Sequence, residues 1–344
     1  MRAAVFGAAG YGGIELVRLL CRHPDVELVY LADPAFEGKR ADEVYPHLRG
    51  FVDLPFEEPD VPRAIESADV VFFCLHPGLA MDMVAEVAAA GRVVIDFSAD
   101  FRLQSRELYE AYYEPHRQPE LLDRAVYGLP ELHRERIAKA DVIAVPGCYP
   151  TSATLALAPL AACGAILPDG IVVNSASGVS GMGRRTALGA LFTEGNEDAR
   201  AYSIGNHRHT PEIEQEVGSL FGRDIAVLFV PHLIPITRGI VTTVYATLAR
   251  ETSTEELIAA YEAFYEGEPF VRVRGVEEPV SPKSVAGTNL CDVSVRVDAR
   301  TNRAIALAAI DNLGKGLSSA AVQCLNVRFG LRETTGLTAA PRWP

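Results

Sequence analysis

Apolar and polar positions alternate in blocks along the first 145 residues. Short apolar runs with the length of buried strands occur at residues 3–6, 27–32, 69–75, 93–97 and 142–145. Between them, residues 14–22 and 79–90 show the apolar spacing of helices. Strands that alternate with helices predict a parallel sheet with right-handed crossovers. We therefore predict an α/β domain over residues 1–148.

The pattern changes after residue 148. A helical pattern at residues 152–163 is followed by strand-like runs at residues 171–175, 225–230, 239–248, 270–273, 290–297 and 304–310. Two further helices are predicted at residues 211–220 and 254–265. This order predicts a second, α+β domain over residues 149–312, with a mixed or antiparallel sheet and helices on one face. The apolar pattern at residues 313–329 is helical, and we expect residues 313–344 to pack back on the first domain.

Composition excludes several classes of partner. A length of 344 residues allows two domains, and a net charge of −13 argues against nucleic acid and anionic membrane surfaces. No apolar stretch approaches the length of a membrane span. Six scattered cysteines without a CxxC pair fit neither a disulfide framework nor a structural zinc site. Since the chain also enters a strand without a charged leader, we expect a cytoplasmic protein.

Glycines follow the first predicted strand in a GxxGxxG spacing, at Gly7, Gly10 and Gly13. Glycine at such a strand-to-helix turn permits a tight bend and a close approach of backbone to a pyrophosphate, which the helix N-terminus then holds. The pattern predicts dinucleotide binding. The alternative is that these glycines only make the turn, as they do in many α/β folds.

The second predicted strand ends at Asp33, twenty residues after Gly13. An acidic residue there usually binds the ribose hydroxyls of NAD and repels a 2′-phosphate. Nearby Lys39 and Arg40 favour NADP instead, because they could hold its 2′-phosphate. Asp33 can also be a turn residue before Pro34, and the two cations can be a solvated surface pair.

The motif Pro-Gly-Cys-Tyr-Pro-Thr at residues 146–151 lies between a predicted strand and a predicted helix. The positive end of a helix and its unpaired N–H groups favour a thiolate. Cys148 is therefore a candidate nucleophile, although it can also be one of six ordinary small apolar cysteines.

His207 and His209 stand two residues apart, just before a predicted helix. If that stretch is extended, both rings point the same way and one could reach a thiolate. A surface loop with incidental histidines is the alternative. A metal site with Cys148 or His232 as third ligand fits the spacing, but no second motif supports it.

Three arginines occur in polar or glycine-rich settings, at Arg102, Arg184 and Arg238. On an acidic protein such placements suggest anion sites, because the guanidinium fork suits carboxylate and phosphate. Each of them can instead form a structural salt bridge.

These motifs together resemble the N-acetyl-γ-glutamyl-phosphate reductases of arginine biosynthesis, within the aspartate-semialdehyde dehydrogenase superfamily. The resemblance runs nearly from end to end, through residues 7–13, 46–50, 98–102, 127–131, 146–151, 177–184, 207–212, 231–239 and 309–316. It implies a Rossmann domain, a second domain that also makes subunit contacts, NADPH, and reduction of an acyl phosphate to an aldehyde. It also implies that Cys148 is the nucleophile and His207 the acid/base. We expect a homodimer or homotetramer that acts on a small-molecule acyl phosphate.

The motifs and the resemblance together predict the remaining site residues. Substrate binding is expected at Arg102, Ser177, Arg184, His209, Glu212 and Arg238. Cofactor binding is expected at Gly7, Ala9, Gly10, Tyr11, Gly12, Gly13, Asp33, Lys39, Arg40, Ser98, Gly181 and Asn312. No metal is expected. NADP(H) is the first choice of cofactor, with NAD(H) as a second because Asp33 stands where relatives often have a small polar or basic residue.

Other functions fit parts of the pattern. A sister group reduces an aminoadipyl or glutamyl phosphate attached to a carrier protein, for lysine or ornithine biosynthesis. Its members tend to carry Asn-Ala after the cysteine, whereas this chain has Tyr149 and Pro150. A cysteine hydrolase would use Cys148 and His207 but leave the glycine loop without a purpose. A nucleotide-sensing regulator would bind the cofactor without turnover.

Overall fold

The structure, a computed structural model, describes residues 1–184 and 187–342. The chain divides into two compact units. Unit 1 comprises Met1–Pro146 and Leu317–Ala339, and unit 2 comprises Gly147–Gly316 with the residues from Ala340 onward. The last two residues of the expected C-terminal segment, Trp343 and Pro344, lie outside the described part of the chain.

Unit 1 alternates strands and helices along its first segment. In chain order these are β1 (Arg2–Phe6), α1 (Tyr11–Leu20), β2 (Glu27–Ala32), α2 (Ala41–Val44), β3 (Phe56–Glu57), α3 (Val61–Ser67), β4 (Val70–Phe73), α4 (Met81–Ala89), β5 (Val93–Asp96), α5 (Arg106–Tyr112), β6 (Val126–Tyr127), α6 (Pro130–Ile137) and β7 (Val142–Ala144). Side-chain caps start two of the helices: Asp60 accepts the N–H of Arg63 in α3, and Ser105 accepts that of Leu108 in α5.

The described strands of unit 1 form one seven-stranded parallel sheet in the order β3-β2-β1-β4-β5-β7-β6. The order reverses at β1, which has β2 on one side and β4 on the other. In sheets of this type, ligands bind beyond the carboxyl ends of the strands at such a reversal. Phe6, Phe73 and Tyr30 pack under it, with the Phe6 and Phe73 rings stacked 4.9 Å apart. The fold therefore predicts a ligand site at the loop after β1.

Unit 2 begins with the longest described helix. Its elements and the helix that follows them are α7 (Cys148–Ala162), β8 (Ile171–Gly178), α8 (Phe192–Gly195), β9 (Arg200–Ala201), α9 (Thr210–Phe221), β10 (Val227–Ile234), β11 (Ile240–Thr247), α10 (Thr254–Phe264), β12 (Val271–Val273), β13 (Cys291–Asp298), β14 (Arg303–Ile310) and α11 (Ser319–Arg328). A π-helical turn, Gly314–Ser318, precedes α11, which belongs to unit 1.

The described strands of unit 2 form a mixed seven-stranded sheet in the order β12-β13-β14-β11-β8-β10-β9. Strand β10 runs parallel to β8, and β12 runs parallel to β13, while the other pairs are antiparallel. Helix α7 packs against β11, β13 and β14, and α10 packs against β13. Tyr261 of α10 and Tyr265, its C-cap, tie these helices together, because Tyr265 Oη donates to the Leu155 carbonyl of α7 at 2.6 Å and Tyr261 Oη donates to that of Ala156.

The predicted fold class is confirmed, and the differences are local. Helix α7 begins at Cys148, four residues before the pattern at residues 152–163. Strand β10 is longer than expected, because parallel pairing with β8 carries it through Pro231 and His232. The two-residue strands β3, β6 and β9 are too short to show a period, and the sequence pattern missed them together with helices α2, α3, α5, α6 and α8. The second sheet is mixed, which is one of the two expected forms.

Candidate functional site

The loop after β1 has the tight form that the GxxGxxG spacing predicts. Gly7 adopts a φ of 71°, and a Cβ built on it would clash with the carbonyl oxygen of Cys74. A Cβ built on Gly13 would clash with the carbonyl oxygen of Gly7. Side chains at either position would therefore force the loop open.

The start of helix α1 is available to an anion. Gly10 is its N-cap without a side-chain hydrogen bond, and the first turn, which contains Tyr11, Gly12 and Gly13, has no acidic residue. Helix N-termini attract phosphate through their N–H groups and dipole. The residues present thus fit a dinucleotide pyrophosphate.

Asp33 is bound to this loop. Its carboxylate accepts the Ala9 N–H at 3.0 Å and, from the other oxygen, caps a short 3₁₀ turn through the Ala35 N–H at 3.2 Å. Tyr45 Oη donates to the Ala9 carbonyl at 2.5 Å, so Ala9 is held on both sides. Asp33 is a turn residue, as the alternative interpretation has it, and its carboxylate also reaches the glycine loop.

The two cations near Asp33 are exposed. Arg40 pairs with Asp42 through two hydrogen bonds of 3.0 and 3.2 Å. Lys39 lies with its Nζ 6.0 Å from the centre of the Phe36 ring. Arg40 would have to share its guanidinium with Asp42 in order to hold a 2′-phosphate.

Ser98 and Arg102 are buried in the segment after β5. Ser98 Oγ donates to Asp96 at 2.5 Å and accepts the Asp100 N–H at 3.1 Å. Burial, and then the nearby Asp100 charge, raise the pKa of Asp96 to about 7. Arg102 Nη2 donates to the Phe97 carbonyl at 2.7 Å. Both candidate residues therefore help to hold their own segment in place.

Cys148 is the first residue of α7, as the sequence suggested for a nucleophile. Gly147 caps the helix without a side-chain bond, and no acidic residue lies in its first turn. The Cys148 side chain is half-buried, whereas the following residues 149–161 are all buried. A 15-residue helix thus points its positive end at this thiol.

Gly147 is clamped by the segment that precedes and begins α9. Its N–H donates to Glu212 Oε2 at 3.0 Å, and Glu212 is only 1% exposed. The ring of His209 lies against the same residue, since a Cβ on Gly147 would come within 2.6 Å of His209 Nε2. His209 Nε2 is 4.0 Å from Glu212 Oε1. Glu212 therefore orients the peptide that carries Cys148.

His207 lies in an aromatic enclosure. Its ring makes edge contacts with Tyr149, Tyr202 and Phe229 at centroid distances of 5.5, 5.6 and 5.2 Å. Burial, reinforced by the adjacent Arg208 charge, lowers the pKa of His207 to about 4. His207 is therefore a neutral imidazole at neutral pH.

The segment that carries the two histidines is a turn. The His209 N–H donates to His207 Nδ1 at 3.1 Å, and the ring centroids are 4.8 Å apart. The two rings meet by this turn, and the extended arrangement considered from the sequence is not formed. Both rings also contact Tyr149, which directly follows Cys148.

Tyr149 and Tyr202 share a hydrogen bond of 2.9 Å between their hydroxyls. Burial is the main cause that raises the pKa of both tyrosines, to about 12 for Tyr202, and a charge on Cys148 raises them further. Both hydroxyls therefore stay protonated near the thiol. The sequence motif contained Tyr149 but gave it no role, and no sequence signal distinguished Tyr202.

A second group of candidates meets near the carboxyl end of β8. Gly181 lies by Ser177 Oγ and Asn312 Nδ2, at 3.3 and 3.7 Å from a Cβ built on the glycine. Asn312 also accepts the Gly239 N–H at 2.7 Å and donates to Ser180 Oγ at 2.9 Å. Arg238 pairs with the buried Asp311 at 3.0 Å. Arg184 is exposed at the edge of the described segment.

The described residues contain neither a metal-type cluster nor a membrane-length helix. Within residues 1–184 and 187–342, no three or more His, Cys, Asp or Glu side chains are grouped to hold a metal ion. In the same residues no helix is both long and apolar enough to cross a membrane.

Two family models match the chain. Residues 2–140 match the semialdehyde dehydrogenase NAD binding domain, and residues 148–312 match the semialdehyde dehydrogenase dimerisation domain. Relatives named N-acetyl-gamma-glutamyl-phosphate reductase occur in Desulforudis audaxviator, at 50% identity over the whole of both chains, and in Pelotomaculum thermopropionicum, at 51% identity over 100% of this chain and 99% of that one.

A solved structure shares the fold. Aspartate semialdehyde dehydrogenase II from Vibrio cholerae superposes with a TM-score of 0.73 at 20% identity, over 96% of this chain and 98% of that one. At that identity the likeness concerns the arrangement of elements and carries no residue roles.

Proposed function

The chain belongs to the N-acetyl-gamma-glutamyl-phosphate reductase family, and from this premise we propose that it reduces N-acetyl-L-glutamyl 5-phosphate to N-acetyl-L-glutamate 5-semialdehyde with NADPH, in arginine biosynthesis. The observation that carries the proposal is a thiol at the start of a long helix, in one cluster with a neutral histidine, in a chain half identical to such reductases over its whole length. The relatives give no support to a carrier-linked substrate.

Cys148 is the proposed nucleophile. Its thiolate attacks the acyl carbonyl, the bond to phosphate breaks, and inorganic phosphate leaves while a thioester remains on the sulfur. This splits one difficult displacement into two easier steps. The dipole of α7 favours the thiolate, and Glu212 fixes the Gly147 peptide that carries it.

His207 is the proposed acid/base. The ring is neutral at neutral pH, so an unprotonated ring nitrogen can accept the thiol proton, while its pKa near 4 makes it a weak base. The same burial makes the resulting imidazolium costly, so the proton moves readily to the oxyanion that forms on the substrate. The C–S bond of this hemithioacetal then breaks, its hydroxyl proton returns to the Cys148 sulfur, and the semialdehyde leaves. His209 packs on Gly147 and is assigned to substrate positioning.

The loop at residues 7–13 and Asp33 would hold the cofactor in unit 1, with Ala9 fixed by Asp33 and Tyr45. When bound, NADPH supplies the hydride that the reduction needs. Lys39, Arg40, Ser98, Gly181 and Asn312 stay predicted cofactor residues. We assign residues 1–148 to cofactor binding, 149–312 to catalysis and subunit contact, and 313–344 to a C-terminal segment that completes the first domain.

The phosphoryl and carboxylate groups of the substrate call for cations. Arg238 is the best-supported one, because its guanidinium is oriented by a buried carboxylate and remains 22% exposed. Ser177 lies in the same group. Arg102 and Arg184 stay predicted contacts of this small-molecule substrate.

Self-association through the unit 2 sheet is proposed as well, as a homodimer or homotetramer. Leu228, Val172, Tyr245 and Ile305 are aligned neighbours across β10, β8, β11 and β14. They lie on the face away from α7, where Leu228 is 54% and Tyr245 40% exposed. An apolar row of this kind suits a second copy of the chain.

The cytoplasm is the proposed location, which agrees with six free thiols.

The decisive experiment is the back reaction. Purified protein is mixed with N-acetylglutamate semialdehyde, inorganic phosphate and NADP⁺, and the absorbance of the reduced nicotinamide is followed. We expect phosphate-dependent formation of NADPH. Hydrolysis without phosphate would indicate a cysteine hydrolase, and cofactor binding without turnover would indicate a nucleotide-sensing regulator.

A further inference from the structure

Asp311 directly follows β14, and its carboxylate lies near the Cys148 cluster without a role in the mechanism proposed above. It is fully buried. Its Oδ1 accepts the N–H groups of Leu313 and Gly314 at 2.9 and 3.0 Å, and its Oδ2 accepts that of Gly287 at 2.6 Å. Arg238 Nε adds a fourth donor, 3.1 Å from Oδ1 and 3.0 Å from Oδ2.

The backbone that Asp311 holds leads directly to the nucleophile. The Asp311 carbonyl accepts the N–H groups of Gly314 and Gly316 at 3.1 and 2.9 Å, which starts the π-helical turn. A Cβ built on Gly316 would lie 2.8 Å from the Cβ of Cys148. The turn therefore packs so closely on Cys148 that a side chain at residue 316 would displace one of the two.

The π-helical form of the turn Gly314–Ser318 is a second indication that this segment is functional. Turns of the π type are rare and occur frequently at functional sites. Lys315, within the turn, is fully buried with its Nζ 5.8 Å from the centre of the Phe270 ring, which fixes the turn from its other side. The turn that packs on Cys148 is thus held by the Asp311 carboxylate and by a buried Lys315 side chain.

We infer that Asp311 is a positioning residue that sets two parts of the reaction at once: it orients the Arg238 guanidinium for the substrate anion, and it holds Gly316 against Cys148 so that the thiol keeps its place at the start of α7. The inference rests on the proposed function, because it assumes that Cys148 is the nucleophile. Asp311 itself need not touch the substrate.

Asparagine at residue 311 tests this arrangement. An amide has one acceptor oxygen, so a backbone N–H on one side loses its acceptor whichever way the group turns. We expect Asp311→Asn to lower kcat about 10- to 100-fold, the usual effect of a misplaced reacting group, and to raise KM for the acyl phosphate. Arg238→Ala should raise KM mainly, and Gly316→Ala should lower kcat mainly.

Two variants serve as matched controls. Asp292 is likewise fully buried, but its carboxylate accepts from the side chains of Arg272 and Arg274 and not from the backbone of the π turn, so Asp292→Asn should leave kcat within about twofold. Gly275 has only the Glu278 side chain at 3.6 Å from a built Cβ, so Gly275→Ala adds the same methyl without pressure.

A second measurement reports on Cys148 without turnover. The rate of its alkylation by iodoacetamide is followed across pH by mass spectrometry of the Cys148 peptide, which separates it from the other five thiols. We expect Gly316→Ala to slow this rate about tenfold and Asp311→Asn to change it at least threefold, whereas both controls match wild type.

The outcomes separate the two proposals. If Cys148→Ser keeps its turnover, the proposed function fails. If Cys148→Ser is inactive but Asp311→Asn and Gly316→Ala keep wild-type kcat and alkylation, the positioning role is wrong and the proposed function stands. Should Asp311→Asn fail to fold, Gly316→Ala against Gly275→Ala decides the matter.

Discussion

The glycine loop of unit 1 and the Cys148 cluster of unit 2 are built in different ways. The loop is made of consecutive backbone at residues 7–13, whose shape follows from two glycines without room for a Cβ. The cluster is made of side chains from segments far apart in the chain, around Cys148, Tyr202, His207 and Gly316. The first kind of site can be read from spacing, whereas the second depends on the fold.

Because the two regions belong to different compact units, chemistry and cofactor binding should be lost separately. The largest expected effect is that of Cys148→Ser. Turnover should fall by about 10⁴-fold or more, as when a covalent nucleophile is removed, while the Kd for NADPH stays within about twofold. Kinetics and fluorescence titration of NADPH measure the two quantities. Residual turnover near that of wild type would rule out the thioester.

His207→Asn should lower kcat by about two to four orders of magnitude, the usual range for a lost general acid/base. His209→Asn is the matched variant in the same turn, and it should mainly raise KM, by about tenfold, because His209 packs on Gly147. Steady-state kinetics on both variants compare them. A reversed order would transfer the acid/base role to His209.

Stability against pH gives His207 a second signature. Its pKa is about 4 in the folded protein against 6.5 for the free side chain, so the unfolded chain binds more protons between these values. The contribution of the neutral His207 ring to the free energy of unfolding is fully present above about pH 6.5 and is lost as pH falls towards 4. Asp96, with its pKa raised to about 7, contributes stability that is lost as pH rises towards 7, and this residue is present in both wild type and the His207→Asn variant.

Urea unfolding between pH 7 and pH 5 should therefore show a smaller loss of stability for His207→Asn than for wild type. Equal losses would mean that the ring is not held neutral by burial.

Gly13→Ala in unit 1 should have the opposite effect to Cys148→Ser: it should weaken cofactor binding and leave the reactivity of Cys148 intact. A Cβ at residue 13 would clash with the Gly7 carbonyl oxygen and move the start of α1. We expect the Kd for NADPH to rise about tenfold or more, equivalent to about 1.4 kcal/mol, while alkylation of Cys148 is unchanged. Gly275→Ala again supplies the control. Loss of Cys148 reactivity in Gly13→Ala would show that the two regions are not independent.

The sequence predicts the two regions unequally, for physical reasons. Gly7, Gly13 and the strand–helix alternation are local signals, so the parallel sheet and its loop are predictable, as is a thiol at the start of α7. Tyr202 and Phe229 reach His207 only through the pairing of β8, β9 and β10, and a two-residue strand such as β9 has no period. Asp311 and Gly316 stood inside a recognised motif, yet their contacts with Arg238 and Cys148 depend on the fold.

The smallest expected effect concerns Asp33, where the two cofactor preferences oppose each other. Its carboxylate both holds the Ala9 N–H and carries a charge that repels a 2′-phosphate by about 1 kcal/mol at about 4 Å in water. We expect NADPH to be preferred narrowly over NADH in wild type. Asp33→Asn keeps an acceptor for Ala9 but removes the charge, so the ratio of kcat/KM values should shift about fivefold towards NADPH. Asp33→Ser should shift the ratio similarly and also weaken both cofactors, because the shorter side chain does not reach Ala9. A ratio unchanged in both variants would mean that Asp33 shapes the loop and never meets the ribose.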